Sequence, residues 1–283
     1  MADLAEIVAD TLFSSRTVTV RDTCCQGTCK HESAEECTVS TQLVFPYRGV
    51  YVRHVGRDEA VAEANQVMLF NGGEPYRVSH PVAGGDANLS LDLHPELLAE
   101  LAPQSHLSNR SRLTFSRQRL RIDARAQALV ALLRHGLRSH CAEALEAESL
   151  ALTLVRRALG ERTSHAAGAS RARQKLVDRA KLVLASDLSR RWTLAEIARE
   201  VGGSPVHLTR VFQLVEGMPL YRYQRHLRLA RALDLIDQYD DLTALGLDLG
   251  FSSHSHFTAA FHEVYGRTPS EFRGEALRRR AAR

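Results

Sequence analysis

A chain of 283 residues, 44% hydrophobic and 25% charged, has the composition of a globular protein with room for two domains and a sizeable core. No run of about 18 apolar residues occurs, which excludes a helical membrane span, and the first six residues lack the basic and apolar regions of a secretion signal, so the expected compartment is the cytoplasm. The net charge of +4 is uneven: residues 171–283 carry 19 Lys/Arg against 13 Asp/Glu, while residues 1–170 carry 18 against 20, the balance of a polyanion binder joined to a different module.

In chain order, Leu4, Ile7, Val8, Leu12 and Phe13 fall at helical spacing and predict a short amphipathic helix over residues 1–13. Residues 17–20 open a β-rich region. Short β-branched or aromatic runs follow at 42–45, 49–55, 66–70, 76–78 and 88–92, separated by Pro46, Gly49, Asn71-Gly72-Gly73, Pro81 and Gly84-Gly85. That pattern predicts a small antiparallel barrel or sandwich whose mouth can hold a ligand. Residues 95–106 read as helix, then loop. Asp123 can cap a helix through Leu133, and residues 141–159 form a second with Leu145, Leu152, Val155 and Leu159 as its stripe. These two helices pack on the sheets, leave a face for a second copy of the chain, or do both. Residues 161–170 are small and polar, so the expected division is 1–162, a linker at 163–170, and 171–283.

Residues 171–186 predict a basic helix with Leu176, Val177, Ala180, Val183 and Leu184 facing inward. Two copies of one device follow: a helix, a Gly-containing turn and a second helix with a polar outer face. In the first, Thr193 and Glu196 have capping-box spacing, and Leu194, Ile197, Ala198 and Val201 form the buried face. Gly202-Gly203 makes the turn; Ser204 caps the next helix and Pro205 takes its first turn. Leu208, Val211 and Phe212 point to the core, and Val206, Thr209, Arg210 and Gln213 away from it. A long helix over 221–239, carrying Arg222, Arg225, Arg228 and Arg231, leads to the second copy, where Leu245, Leu249, Phe257, Phe261 and Tyr265 make the core. This arrangement lays one helix of each pair in the DNA major groove.

Leu194-Ala-x-Ile-Ala, Ser204-Pro-x-x-Leu-x-Arg-x-Phe212, Leu249-Gly-Phe-Ser252, Ser255-His-Phe257 and Tyr265-Gly-x-Thr-Pro-Ser-Glu-Phe-Arg273 resemble the AraC/XylS family of bacterial transcriptional regulators over about the last hundred residues. The resemblance implies an α+β chain: an N-terminal cupin-like antiparallel β-barrel with helices, and a C-terminal all-α double helix-turn-helix domain. It implies cytoplasmic homodimers that bind double-stranded promoter DNA and act with RNA polymerase. By motif position, DNA contacts map to Val206, Thr209, Arg210 and Gln213 in the first unit and to His254, Ser255 and Thr258 in the second. Arg210 can bridge guanine O6 and N7. Ala259 stands where many members carry a basic residue, and Gly246 where alanine is usual, at a helix cost of about 1 kcal/mol. The second unit is therefore expected to be the weaker reader. The N-terminal half matches more loosely, through its strand pattern and Ser79-His-Pro-Val-Ala-Gly-Gly-Asp86.

Cys24, Cys25, Cys29 and Cys37 lie within fourteen residues, with Cys141 apart. In a cytosolic chain such a cluster points to metal or redox chemistry rather than disulfides. Four thiolates suit Zn²⁺ or an Fe–S cluster, with His31 and His80 as alternative ligands. Reversible thiol oxidation near Lys30 and His31, an organic ligand in the barrel, and purely structural thiols remain open beside it. An enzyme is not expected. His54, His80 and His94 are scattered, and no phosphate loop or nucleophile elbow is present.

Overall fold

In the computed structural model, which describes residues 7–27, 30–109, 111–160 and 170–281 with side chains to residue 276, the two halves are built differently. The first is antiparallel sheet backed by helices. A six-stranded sheet has the order β1-β2-β8-β3-β6-β11, and a three-stranded sheet the order β5-β4-β7. The strands of the first are β1 (Ile7–Ser14), β2 (Val18–Cys25), β3 (Gln42–Gly49), β6 (Gln66–Phe70), β8 (Asp86–Leu93) and β11 (Arg119–Arg121). Those of the second are β4 (Tyr51–Val55), β5 (Asp58–Ala62) and β7 (Arg77–Ser79). A short helix α1 (Pro95–Leu101) and the pair β9 (Leu107–Asn109) and β10 (Thr114–Phe115) fill the gap before β11.

The period of two decides which way each strand faces. Leu43 and Phe45 of β3, Val67 and Leu69 of β6, and Leu89 and Leu91 of β8 enter one core with α2 (Ala124–Arg138) and α3 (Ala144–Ala158). The intervening Val44, Met68 and Phe70 face the other way, toward Tyr51, Ala60 and Ala62 of the small sheet. The six-stranded sheet thus has helices on one face and the second sheet on the other.

Two details of this half differ from the sequence-based expectation. Residues 7–14 are a strand, not part of a helix, and pair antiparallel with β2 from Ile7 opposite Cys25 to Ser14 opposite Thr19. Ile7, Val8, Thr11 and Phe13 favour extended backbone, and the open edge of β2 supplies the ladder partners. Residues 1–6 lie outside the described residues. In α3, Leu145 is 75% exposed, and Ala147, Ala151, Leu154, Val155 and Ala158 are the buried face. Small alanines let α2 and α3 approach closely, which moves the stripe off Leu145. The linker at 163–170 lies outside the described residues except Ser170, whose hydroxyl accepts from Arg173 N at the start of α4 (Arg171–Ser186).

The second half holds helices and the turns between them, with no strand among its described residues: α4, α5 (Leu194–Val201), α6 (Pro205–Glu216), α7 (Leu220–Leu235), α8 (Leu242–Asp248), α9 (His254–Tyr265) and α10 (Pro269–Ala281). Helix α7 belongs to two cores. Leu220, Tyr223, Leu227 and Ala230 pack with α4, α5 and α6, whereas Leu229, Ala232, Leu233 and Ile236 pack with α8, α9 and Phe272 of α10. The first-half residues Ala64, and Ala131 with Leu132 of α2, enter these same two clusters.

Charges seal the junction between the halves. Arg119 of β11 holds Asp178 of α4 through both carboxylate oxygens at 2.8 and 2.9 Å. Arg134 of α2 reaches Asp234 of α7 at 2.6 Å, and His135 Nε2 lies 2.9 Å from Leu233 O. Lys181 of α4, fully buried, places Nζ 2.7 Å from Glu216 of α6 and 3.8 Å from Glu63 in the β5–β6 turn. Tyr223 of α7 donates its hydroxyl to Glu63 Oε1, and Asn65 N donates to Oε2 at 2.7 Å. Burial holds the Glu63 carboxyl above the usual carboxylate range, against the pull of the Lys181 ammonium and the Tyr223 hydroxyl.

Candidate nucleic-acid interface and sensor cavity

In the first helix-turn-helix unit, Thr193 and Glu196 form the expected reciprocal cap, with Glu196 Oε2 accepting from Thr193 N at 2.8 Å and Thr193 Oγ1 from Glu196 N at 3.2 Å. These hydrogen bonds, led by the one from Thr193 N, pull the Glu196 carboxyl down to about 2. Helix α5 ends at Gly202 in the left-handed conformation, with φ of 73°. Ser204 then caps α6 by accepting from His207 N, and Pro205 occupies its first turn. Leu208, Val211 and Phe212 are buried, which leaves Val206 (80% exposed), Arg210 and Gln213 on the outer face and Thr209 half-buried beside them.

The second unit repeats the plan. Asp241 caps α8, and Ser253 caps α9 by accepting from His256 N at 3.1 Å. Phe257, Ala260 and Phe261 are buried; His254 and Ser255 are exposed and Thr258 is half-buried. His254 is steadied on that surface by Thr243 Oγ1 at 3.4 Å and Thr258 Oγ1 at 3.3 Å. Gly246 has a packing reason that helix propensity does not reveal: a Cβ there would sit 2.9 Å from Phe257 Cβ. The glycine lets α8 and α9 close on each other, so the structure gives no ground for reading it as a weakness of this unit.

Between the units stands Arg228 of α7. Its guanidinium donates to Leu188 O at 2.6 Å, Ser189 O at 3.1 Å and Arg190 O at 2.8 Å, all before α5, and to Gly250 O at 3.1 Å in the turn between α8 and α9. Gly250 has φ of 82°, and a Cβ on it would fall 2.2 Å from Ser189 O, so both conformation and space demand glycine. Of the other α7 arginines, Arg225 pairs with Glu263 at 2.9 Å and Arg231 with Asp234, while Arg222 is exposed. Arg228 and Arg231 are therefore structural ties rather than groups held out toward a phosphate backbone.

In the N-terminal half a cavity of about 390 Å³ lies between the two sheets. Phe70, Tyr76, Val44, Tyr51 and Val78 form apolar walls, and Cys25, His80, Asp86, Asn88 and Ser90 form a polar side. The cysteines predicted to act together are dispersed. Cys24 turns to the opposite face of β2, where Sγ accepts from Arg48 at 3.3 Å and packs on the helix-backed core. Cys37 is exposed, as is His31, and Cys29 lies outside the described residues. Cys25 instead meets His80 and Asp86: one ligand atom from each lies within 4.8 Å of the others. Of these, sequence reasoning named Cys25 and His80 and missed Asp86. Its signal was present, since Asp86 ends the Gly84-Gly85 turn in the motif already singled out.

A family model for a helix-turn-helix domain matches residues 197–275, which span both units. The chain is 30% identical over 125 residues to the HTH-type transcriptional activator RhaR of Klebsiella pneumoniae subsp. pneumoniae, a match covering 44% of this chain and 43% of that protein. It is 33% identical over 97 residues to the HTH-type transcriptional regulator ArgR of Pseudomonas aeruginosa, covering 34% and 30%. The matched segments thus span less than half the length of these two relatives. Among solved structures, a transcriptional regulator with an AraC-type DNA-binding domain from Chromobacterium violaceum aligns with 38% of this chain and 96% of its own, at 29% identity and a TM-score of 0.36. Residues 197–275, with their two capped helix pairs joined by α7, thus carry the helix-turn-helix domain of that family model.

Proposed function

We propose that the protein is a DNA-binding transcriptional regulator, not an enzyme, that reads double-stranded promoter DNA with the outer faces of α6 and α9. The observation that carries this reading is the exposure of Val206, Arg210, Gln213, His254 and Ser255 on two helices whose opposite faces are fully committed to core. A homodimer and RNA polymerase are its expected partners, in the cytoplasm.

The N-terminal half is the sensor in this reading. Its cavity offers walls from both sheets, and the Glu63–Lys181–Glu216 group runs from the β5–β6 turn to the C-terminal end of α6. A change in sheet packing therefore has a contiguous physical route to the first reading helix. The dispersal of Cys24, Cys25 and Cys37 favours a signal taken up in the cavity over a centre made of four thiolates.

Binding to the DNA upstream of its own gene and to random duplex should differ by about 10³-fold or more. Arg210→Ala should cost about 1–3 kcal/mol on the preferred sequence and relax the choice at one base pair. Fluorescence anisotropy across single-base variants checks both points. An equal loss on every sequence would mean that Arg210 only grips phosphate.

A further inference from the structure

We propose that Cys25, His80 and Asp86 bind a single divalent metal ion of the zinc class on the polar side of the inter-sheet cavity. The binding stands independently of the DNA-recognition reading given above.

Strand register brings two donors together. Cys25 ends β2 and Asp86 begins β8, and the two are directly paired in the ladder. His80 follows β7 of the opposite sheet. An ion held by all three would therefore link the two sheets. The local backbone is fitted to this approach. A Cβ on Gly49 would lie 1.9 Å from Gly85 O, and one on Gly85 would lie 2.2 Å from Cys25 O, so two glycines let the 81–85 turn close against the ends of β2 and β3.

The donor chemistry narrows the ion. A thiolate, an imidazole and a carboxylate suit the borderline Zn²⁺; Ca²⁺ and Mg²⁺ require oxygen ligands almost throughout. Three protein donors leave one tetrahedral position, and here it would face the cavity, where water or a small anionic ligand can reach it. His80 Nε2 and Asp86 Oδ2 are 2.7 Å apart, and tetrahedral coordination needs neighbouring donors about 3–4 Å apart, a shift of side chains rather than backbone.

One further observation points to a missing partner: the buried Asn88 Oδ1, which lines the cavity, has no hydrogen-bond partner among the described residues. Outer support is in place for two of the three ligands, Asp86 and Cys25. Asn88 Nδ2 donates to Asp86 Oδ1 at 2.5 Å, and Gly27 N donates to Cys25 Sγ at 3.4 Å.

The test uses the full chain, stripped with chelator and titrated with zinc chloride against a chromophoric competitor, and separately with cobalt chloride. One equivalent should bind, and the cobalt form should show tetrahedral visible bands with thiolate charge transfer of single-thiolate intensity. Asn88→Ala should weaken zinc binding by about 10–100-fold, and Cys25→Ser and His80→Gln by more. Cys24→Ser, Cys29→Ser and Cys37→Ser should leave it unchanged. Absence of zinc binding at micromolar concentration overturns the site, as does retention of affinity in Cys25→Ser. Cobalt bands of four-thiolate intensity overturn it too, and need no variant to fold. DNA binding is measured on the same samples. Specific DNA binding without metal binding removes this site alone; metal binding without any DNA preference removes the regulator reading and leaves the site.

Discussion

Replacing Lys181 with Met should lower the unfolding free energy by about 3–5 kcal/mol, because it strands two buried carboxylates that share one ammonium. Lys181 has no exposed surface, lies 2.7 Å from Glu216 and 3.8 Å from Glu63, and rests over the Tyr223 ring with Nζ 5.3 Å from its centroid. Adding Glu63→Gln and Glu216→Gln to Lys181→Met should recover most of the loss, since a neutral set carries no uncompensated charge. Urea unfolding of the single and triple variants checks this. Equal instability of both would mean that packing around the Lys181 stem, not charge, sets the cost.

The same group should make the junction pH-dependent. The raised Glu63 carboxyl binds its proton more tightly in the folded chain than in the unfolded one. Its contribution is therefore full at pH below the usual carboxylate range and is lost as pH rises through its folded value. Glu63→Gln should flatten that part of the stability–pH curve. A curve of unchanged slope in Glu63→Gln would assign the dependence to another group.

Arg228→Met should cost about 2–4 kcal/mol, fewer than its separate bonds would sum to because the side chain is only part-buried; a hydrogen bond to a charged group contributes about 1.5–3 kcal/mol. The four carbonyls it holds come from the segment before the first helix-turn-helix unit, at Leu188, Ser189 and Arg190, and from the turn of the second, at Gly250. The functional consequence follows from this geometry. Each unit keeps its own core in the variant, while the restraint between them is lost. Affinity for DNA carrying both sequence elements should fall more than affinity for either element alone. A uniform fall on all three duplexes would show that Arg228 serves general stability only.

The helix-turn-helix units were legible because every layer of the sequence agrees there. Apolar spacing, the Thr193–Glu196 cap, the Ser204 and Ser253 caps and the glycine turns all indicate the same helices. Strand β1 was not legible, since Leu4, Ile7, Val8, Leu12 and Phe13 fit helical spacing and an edge strand with little burial shows no alternation to oppose it. Lys181 left a trace: it falls four residues after Val177 and three before Leu184, on the buried face of α4. Its partners are another matter. Glu63 and Asp178–Arg119 join positions far apart in the chain, and no local pattern announces a pairing made by the docking of two halves. The Cys25–His80–Asp86 grouping fails the same way, because it depends on the β2–β8 register and on which face of β2 each cysteine takes.

Hydroxyl-radical and methylation footprinting on the preferred promoter fragment tests most directly whether α6 and α9 enter adjacent major grooves of one duplex. Each bound copy should protect two windows on the same face, centred about one helical turn, 10–10.5 base pairs, apart. Arg210→Ala should clear one window and His254→Ala with Thr258→Ala the other. A single window, or two variants that dim both windows equally, would contradict the two-helix reader.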